Sequence, residues 1–157
     1  MATGEIIAGK YEIGGMIARG GMGSVWRARH LSLDIDVAVK LMSAGLASSP
    51  EQRVRFAREA RAAAQIRSPH VVQIHDHGVA GETPYIVMEL LSGEDLGARL
   101  RREKRLSPAV TAGLARQMGR GLRKAHAMGI VHRDLKPANI FLSRTDDGEE
   151  LVKILDF

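Results

Sequence analysis

The sequence predicts an α+β chain in two lobes, strand-rich over about residues 11–91 and helical from about 92 onward. Three observations carry this. Short runs with β-prone residues, separated by glycine turns, dominate the first half. Ser-Pro pairs followed by helical spacing occur at Ser49-Pro50 and Ser107-Pro108. The composition shifts at Leu91-Ser92-Gly93, which reads as the boundary between the lobes. Residues 1–10 read as an N-terminal extension to a single domain over 11–157.

Taken in order, Tyr11–Ile17 and Ser24–Arg29 are strand-like and flank the turn Gly20-Gly21-Met22-Gly23, a hairpin signature. Val37–Met42 is a third strand. Ser49 caps a helix whose first turn carries Pro50 and Glu51 and which runs to about Arg67, stopping before Ser68-Pro69. Val71–Ile74 and Pro84–Leu90 read as two more strands joined by a turn around Gly78–Gly81. Glu94–Glu103 is a short helix. A long helix follows Ser107-Pro108 to about Met128, ended by Gly129. A polar loop then leads to the strands Ile140–Leu142 and Leu151–Leu155, linked by the acidic turn 146–150.

The 157 residues, 45% of them apolar, suffice for one compact domain with a core. The absence of cysteine excludes disulfides and thiolate metal sites and suits a cytoplasmic protein. No apolar run approaches a membrane span, and residues 1–10, with Glu5 and Lys10, lack the continuous apolar segment of a signal peptide. The net charge of +5 raises nucleic-acid binding, with Arg99, Arg101, Arg102, Lys104 and Arg105 as the densest patch. These cations also read as solvated helix faces. Aromatics for stacking on bases are few and no nucleic-acid motif appears, so no nucleic-acid partner is expected.

Several motifs bear on chemistry. In the stretch Ile17-Ala18-Arg19-Gly20-Gly21-Met22-Gly23-Ser24-Val25, residues without Cβ let backbone N–H groups approach phosphates, although such glycines also serve plain tight turns. Lys40 closes the apolar run Val37-Ala38-Val39 and there needs a partner, a ligand or solvent. Glu59, on the alanine-rich helix, is a candidate partner for it or one more solvated carboxylate. The run His132-Arg133-Asp134-Leu135-Lys136-Pro137-Ala138-Asn139 is more specific. Asp134 can accept the proton of an attacking hydroxyl, Lys136 can neutralise charge on a transferred group, and Asn139 offers a neutral oxygen to a hard cation. Asp156 supplies a second oxygen ligand, and His132 reads as a packed structural residue.

The order and spacing of these pieces, with Phe56-x-x-Glu59, Tyr85-Ile86-Val87-Met88-Glu89 and the closing Asp156-Phe157, resemble the eukaryotic-like (Hanks-type) protein kinases, and most closely their bacterial serine/threonine members. Lys136, two residues after Asp134, favours the Ser/Thr class. The resemblance implies a two-lobed fold with a complete strand-rich lobe and the start of a helical one, truncated at the Asp-Phe-Gly motif. It implies ATP and Mg²⁺ as cosubstrate and cofactor, and a protein substrate bearing Ser or Thr. By the same resemblance residues 17–25 would cover the ATP phosphates, and Lys40 would bind the α- and β-phosphates, held by Glu59. Val25 and Ala38 would roof the adenine and Phe141 would form its floor, with Met88 behind. Glu89 and Leu91 would offer backbone groups to the adenine edge and Asp95 would reach the ribose. Asp134 and Lys136 would be catalytic, Asn139 and Asp156 would hold the metal, and Arg133 resembles the arginine that meets a phosphorylated activation loop.

Ala18 departs from the family pattern, standing where the first glycine of the loop is usual. The segments that follow Asp156-Phe157 in the family are not in this sequence. The long helix is therefore expected to expose Val110, Leu114, Met118 and Leu122, and the isolated 157-residue chain is expected to be inactive. A catalytically inactive nucleotide-binding or interaction remnant is the competing reading.

Overall fold

The computed structural model describes residues 3–21, 23–43, 49–145 and 147–157. Met22, within the predicted phosphate loop, and Asp146, within the acidic turn, lie outside them. The chain divides into two compact units, one of residues 1–64 and 73–90, the other of residues 65–72 and 91–157.

The first unit is built on a six-stranded antiparallel sheet. Its strands are β1 (Ile6–Ile7), β2 (Tyr11–Gly20), β3 (Gly23–His30), β4 (Ile35–Met42), β5 (Ile74–Ala80) and β6 (Thr83–Glu89), in the order β1-β2-β3-β4-β6-β5. Alternation sorts the side chains onto two faces. Ile13, Ala28, Val37, Val39, Leu41, Tyr85 and Val87 are buried together with Ile7 and Tyr11 as the core. Tyr11 donates its hydroxyl hydrogen to Asp76 at 2.8 Å, and Lys10 lies 3.6 Å from the same carboxylate. Burial opposes ionisation of Asp76, but the bonds from Tyr11 and the His77 N–H, with the charge of Lys10, outweigh it and hold its pKa below the usual range.

Helix α1 (Pro50–Ala64) starts where the Ser-Pro signal places it. The Gln52 N–H donates to Ser49 Oγ at 3.2 Å while the Ser49 N–H donates to Gln52 Oε1 at 3.3 Å, a reciprocal capping box formed with Gln. The helix ends at Ala64, three residues short of the expected Arg67. Ile66 and Val71 are buried with Ala125 in the other unit, so 65–72 leaves the first lobe to which the sequence boundary gave it. Strand β5 accordingly begins at Ile74 and runs to Ala80, and the reversal falls at Gly81 (φ +61°), the last residue of the expected turn Gly78–Gly81.

The second unit holds β7 (Gly93–Asp95), α2 (Leu96–Glu103), α3 (Pro108–His126), a 3₁₀ turn at Pro137–Asn139, β8 (Ile140–Arg144) and β9 (Glu150–Ile154). The three strands form one antiparallel sheet in the order β7-β8-β9. Asp95 caps α2 by accepting from the Ala98 N–H at 2.8 Å, so residues 94 and 95 are strand and cap rather than helix. Ser107 caps α3 through the Val110 N–H at 3.3 Å. Gly121 lets α3 approach the segment before β5 closely: a Cβ there would stand 2.9 Å from the His70 carbonyl oxygen.

The expected exposure of the α3 apolar face is corrected in part. Leu114 is buried with Ile140, Leu142, Val152 and Ile154, and Met118 and Leu122 pack on that cluster. The β8–β9 hairpin, inside the chain itself, covers most of this face, and Val110 alone of the four stays exposed.

Candidate active site

In the first unit the sheet register gathers the predicted nucleotide contacts. Val25 pairs with Ala18 on one side and Lys40 on the other, Lys40 pairs with Ile86, and Ala38 pairs with Met88. Directly paired residues point to the same face, and so do residues two apart along a strand. Ala18, Val25, Ala38, Lys40 and Met88 therefore share the sheet face opposite the core. Ala38 is buried, Val25, Lys40 and Met88 are half-buried, and Ala18 is exposed.

The β2–β3 turn is closed by the pair Gly20–Gly23. Gly23 has φ +144°, and a Cβ on it would lie 2.0 Å from the Leu41 carbonyl oxygen. Its glycine is a requirement of the sheet. Gly20 and Gly21 differ: a Cβ on either would meet nothing within 4 Å. Among the described residues no packing explains their missing side chains, which leave the backbone of the turn open to approach. Ile17 and Arg19 are exposed on β2, and Ser24 Oγ accepts from Trp26 Nε1 at 2.8 Å.

Two predicted residues of this unit have other partners. The Glu59 carboxylate meets Arg55 Nε at 3.0 Å, one helical turn back on the exposed side of α1. The Glu89 side chain accepts from the Gln73 N–H at 2.8 Å, and the Glu89 N–H donates to the Gln73 carbonyl at 3.0 Å, so that N–H is committed within the protein.

In the second unit the loop between α3 and β8 brings Asp134, Lys136 and Asn139 together. Lys136 Nζ lies 2.6 Å from Asp134 Oδ2. Asn139 Nδ2 donates to the same oxygen at 3.2 Å and to the Asp134 carbonyl at 2.9 Å. Asn139 is only 7% exposed and is pinned at both backbone ends, its N–H on the Lys136 carbonyl and its carbonyl on the Leu155 N–H. Since Nδ2 faces Asp134, Oδ1 is left as the acceptor of that side chain. The hydrogen bond from Lys136 is the main reason the Asp134 pKa falls below its ordinary 3.8, against a smaller opposing effect of burial. Asp134 is ionised at neutral pH and shaped to accept a proton donor.

His132 holds this loop, as its sequence context implied. It is 7% exposed, its Nε2 lies 2.7 Å from the Leu155 carbonyl, and the Asp134 N–H donates to its Nδ1 at 3.3 Å. That pairing puts the ring proton on Nε2. The Phe157 ring stands edge-on, 4.8 Å away. Arg133 (φ +64°) and Asp156 (φ +58°) both adopt left-handed backbone, a conformation that costs about 1–2 kcal/mol each and persists where surrounding bonds impose it. Sequence patterns gave no sign of either.

Phe141 on β8 pairs with Asp95 on β7. One oxygen of Asp95 is committed to the α2 cap. Leu91 opens the segment leading to β7 and is half-buried. Sequence reasoning missed the clamp on this sheet: Arg99, 16% exposed, meets Glu94 at 2.6 Å, Glu150 at 2.7 Å and Glu103 at 3.3 Å, tying α2 to β7 and β9. The charge runs hid it because the acids come from three separate segments.

Among the described residues no group of three or more His, Asp or Glu side chains is placed to cage a metal ion. Asn139 and Asp156 carry side-chain oxygens of the kind a hard cation takes. Among those residues, too, no helix is long and apolar enough to cross a membrane.

Residues 11–157 match the protein kinase domain family. The serine/threonine-protein kinase PknE of Mycobacterium bovis is 45% identical over 138 residues, spanning 88% of this chain and 24% of that protein. PknA of Mycobacterium tuberculosis, a serine/threonine-protein kinase too, is 42% identical over 160 residues, spanning 99% of this chain and 36% of that one. The crystal structure of the M. tuberculosis PknI kinase domain superposes with a TM-score of 0.85 at 30% identity, covering 100% of this chain and 62% of that domain's chain. The chain thus spans about a quarter to a third of the length of these curated relatives.

Proposed function

From the premise that this chain belongs to the protein kinase domain family, we propose that its protein transfers the γ-phosphate of ATP to serine or threonine hydroxyls of other proteins. The observation that carries this is the Asp134–Lys136–Asn139 cluster. It sets an ionised carboxylate beside a cation and a fixed carboxamide, the three groups that phosphoryl transfer asks of a catalytic loop.

In this reading Asp134 orients the substrate hydroxyl and accepts its proton as the oxygen attacks phosphorus. Lys136, already at the Asp134 carboxylate, stabilises charge on the transferred group. The oxygens of Asn139 and Asp156 would hold Mg²⁺, which when bound neutralises the phosphate charge. The turn 17–25 offers its backbone to the phosphates, Gly20 and Gly21 leaving them room. Lys40 binds the α- and β-phosphates from the sheet face it shares with Val25, Ala38 and Met88, which contact the base. Phe141, Glu89, Leu91 and Asp95 complete the nucleotide contacts. For Glu59 to hold Lys40 it must leave Arg55. An exposed pair of that kind is worth about 0.3–0.5 kcal/mol, so giving up Arg55 costs Glu59 little. The absence of cysteine supports a cytoplasmic setting for the reaction.

The test is Asp134→Asn in the full-length protein. Phosphoryl transfer to a Ser/Thr protein substrate should fall on the order of a hundredfold to ten-thousandfold, with Mg-ATP affinity retained. Unchanged turnover would refute the assignment.

A further inference from the structure

The C-terminal half of α3 carries a second concentration of charge that the transfer reaction does not use. From Pro108 to His126 the helix contains Arg116, Arg120, Arg123, Lys124 and His126 and no Asp or Glu. Arg120, Arg123 and Lys124, one helical turn apart, line a cavity of about 480 Å³ with Arg67, Ser68 and His70 from the segment before β5. The close approach at Gly121 sets that geometry, since it brings the His70 backbone directly onto the helix. The opposite wall is held in turn: His70 Nδ1 lies 3.2 Å from the Val152 carbonyl, and the His70 N–H donates to Ser68 Oγ at 3.2 Å.

These cations contrast with five arginines elsewhere in the chain. Arg27, Arg29, Arg55, Arg99 and Arg102 each meet a carboxylate. Among the described residues Arg120, Arg123 and Lys124 meet none. Three exposed like charges held around one concavity repel one another, and an anion there relieves the repulsion. The dipole of α3, whose C-terminal end lies beside the cavity, works against an anion, but three full charges outweigh the half charge of a helix end.

We propose that Arg67, Arg120, Arg123 and Lys124 form a binding site for a dianionic phosphoryl group. Planar guanidinium forks match phosphate oxygens in pairs, and a phosphoryl group has enough acceptors to engage several cations at once, which a single carboxylate lacks. Nucleic acid fits less well, because the cavity wall offers no exposed aromatic ring for a base. Free phosphate and a phosphoserine or phosphothreonine side chain share the required chemistry.

Fluorescence anisotropy on the intact protein tests this, using a dye-labelled phosphothreonine peptide and its unphosphorylated counterpart. The phosphopeptide should bind at least about tenfold more tightly. The combined variant R120A/R123A/K124A should lose at least about tenfold of that affinity, while Arg116→Ala, on the same helix outside the cavity, keeps it. Arg123→Lys preserves charge and tests the fork independently of folding, with an intermediate loss expected. Displacement by inorganic phosphate at comparable concentration would identify the free ion as a ligand, and failure to displace would assign the polypeptide-borne group. Equal binding of the two peptides, full affinity in the combined variant, or preferential binding of duplex DNA would each overturn the proposal.

Discussion

The two kinds of glycine in the β2–β3 turn make a quantitative prediction. Gly23 holds φ +144°, a region open essentially to glycine alone, and a Cβ there falls 2.0 Å from the Leu41 carbonyl oxygen. Real Cβ contacts stay beyond 3.0 Å, so Gly23→Ala must open the β3–β4 ladder at its Met42 pairing by an ångström. Backbone strain of about 1–3 kcal/mol and overpacking of about 1–3 kcal/mol together give roughly 2–6 kcal/mol of destabilisation. That is a large share of the ~5–15 kcal/mol typical of a domain. Gly20→Ala meets open space and should leave stability within about 0.5 kcal/mol of the parent, yet weaken nucleotide binding, because the new methyl stands where phosphates must approach. Urea denaturation with linear extrapolation measures the first pair of outcomes, and titration calorimetry with an ATP analogue measures the second. Gly23→Ala within 0.5 kcal/mol of the parent by the same extrapolation would refute the steric argument. Gly20→Ala binding nucleotide at parental affinity would refute the role assigned to the turn.

Two further outcomes concern the loop 132–139. Asn139→Ala removes the amide that donates to Asp134 and the oxygen offered to the metal, so the Mg²⁺ concentration for half-maximal transfer should rise at least about tenfold, read from initial rates in a magnesium titration. Lys136→Met removes the main cause of the depressed Asp134 pKa and returns it toward 3.8. A depressed folded-state pKa adds stability above the unfolded-state value and loses it as pH falls through the folded one. The stability gap between parent and Lys136→Met should therefore persist from neutral pH to about 4 and close below that, as denaturation midpoints across an acid series would show.

Much of the fold was legible because its signals are local. Ser49-Pro50 and Ser107-Pro108 mark helix starts, since a side-chain oxygen satisfies an N–H that the first turn leaves open and proline has none to satisfy. The hairpin at Gly20–Gly23 follows from glycine's backbone freedom. The loop 132–139 was legible for a related reason: its acid, cation and carboxamide lie close in sequence, so the short 3₁₀ turn Pro137–Asn139 suffices to bring them together.

What depends on distant segments was not legible. The reach of α1 was overestimated by three residues, because Ile66 finds its burial against Ala125, 59 positions on, and no local rule weighs that contact. The covering of Leu114, Met118 and Leu122 came from β8–β9, whose residues read only as two short strands. Glu59 shows the same limit at the site: the sequence offered it Lys40 or solvent, and this structure gives its carboxylate to Arg55. The amino-acid sequence by itself determined which chemical groups are present, their order and the elements that carry them. Tertiary structure decided their partners: strand register put Val25, Ala38, Lys40 and Met88 on one face, the His132 and Asn139 bonds fixed the loop around Asp134, and the Gly121 contact gathered Arg67 with Arg120, Arg123 and Lys124. The physical reason is that capping and turn preferences act over a few residues, whereas burial and charge pairing are settled by whichever distant segment packing brings near.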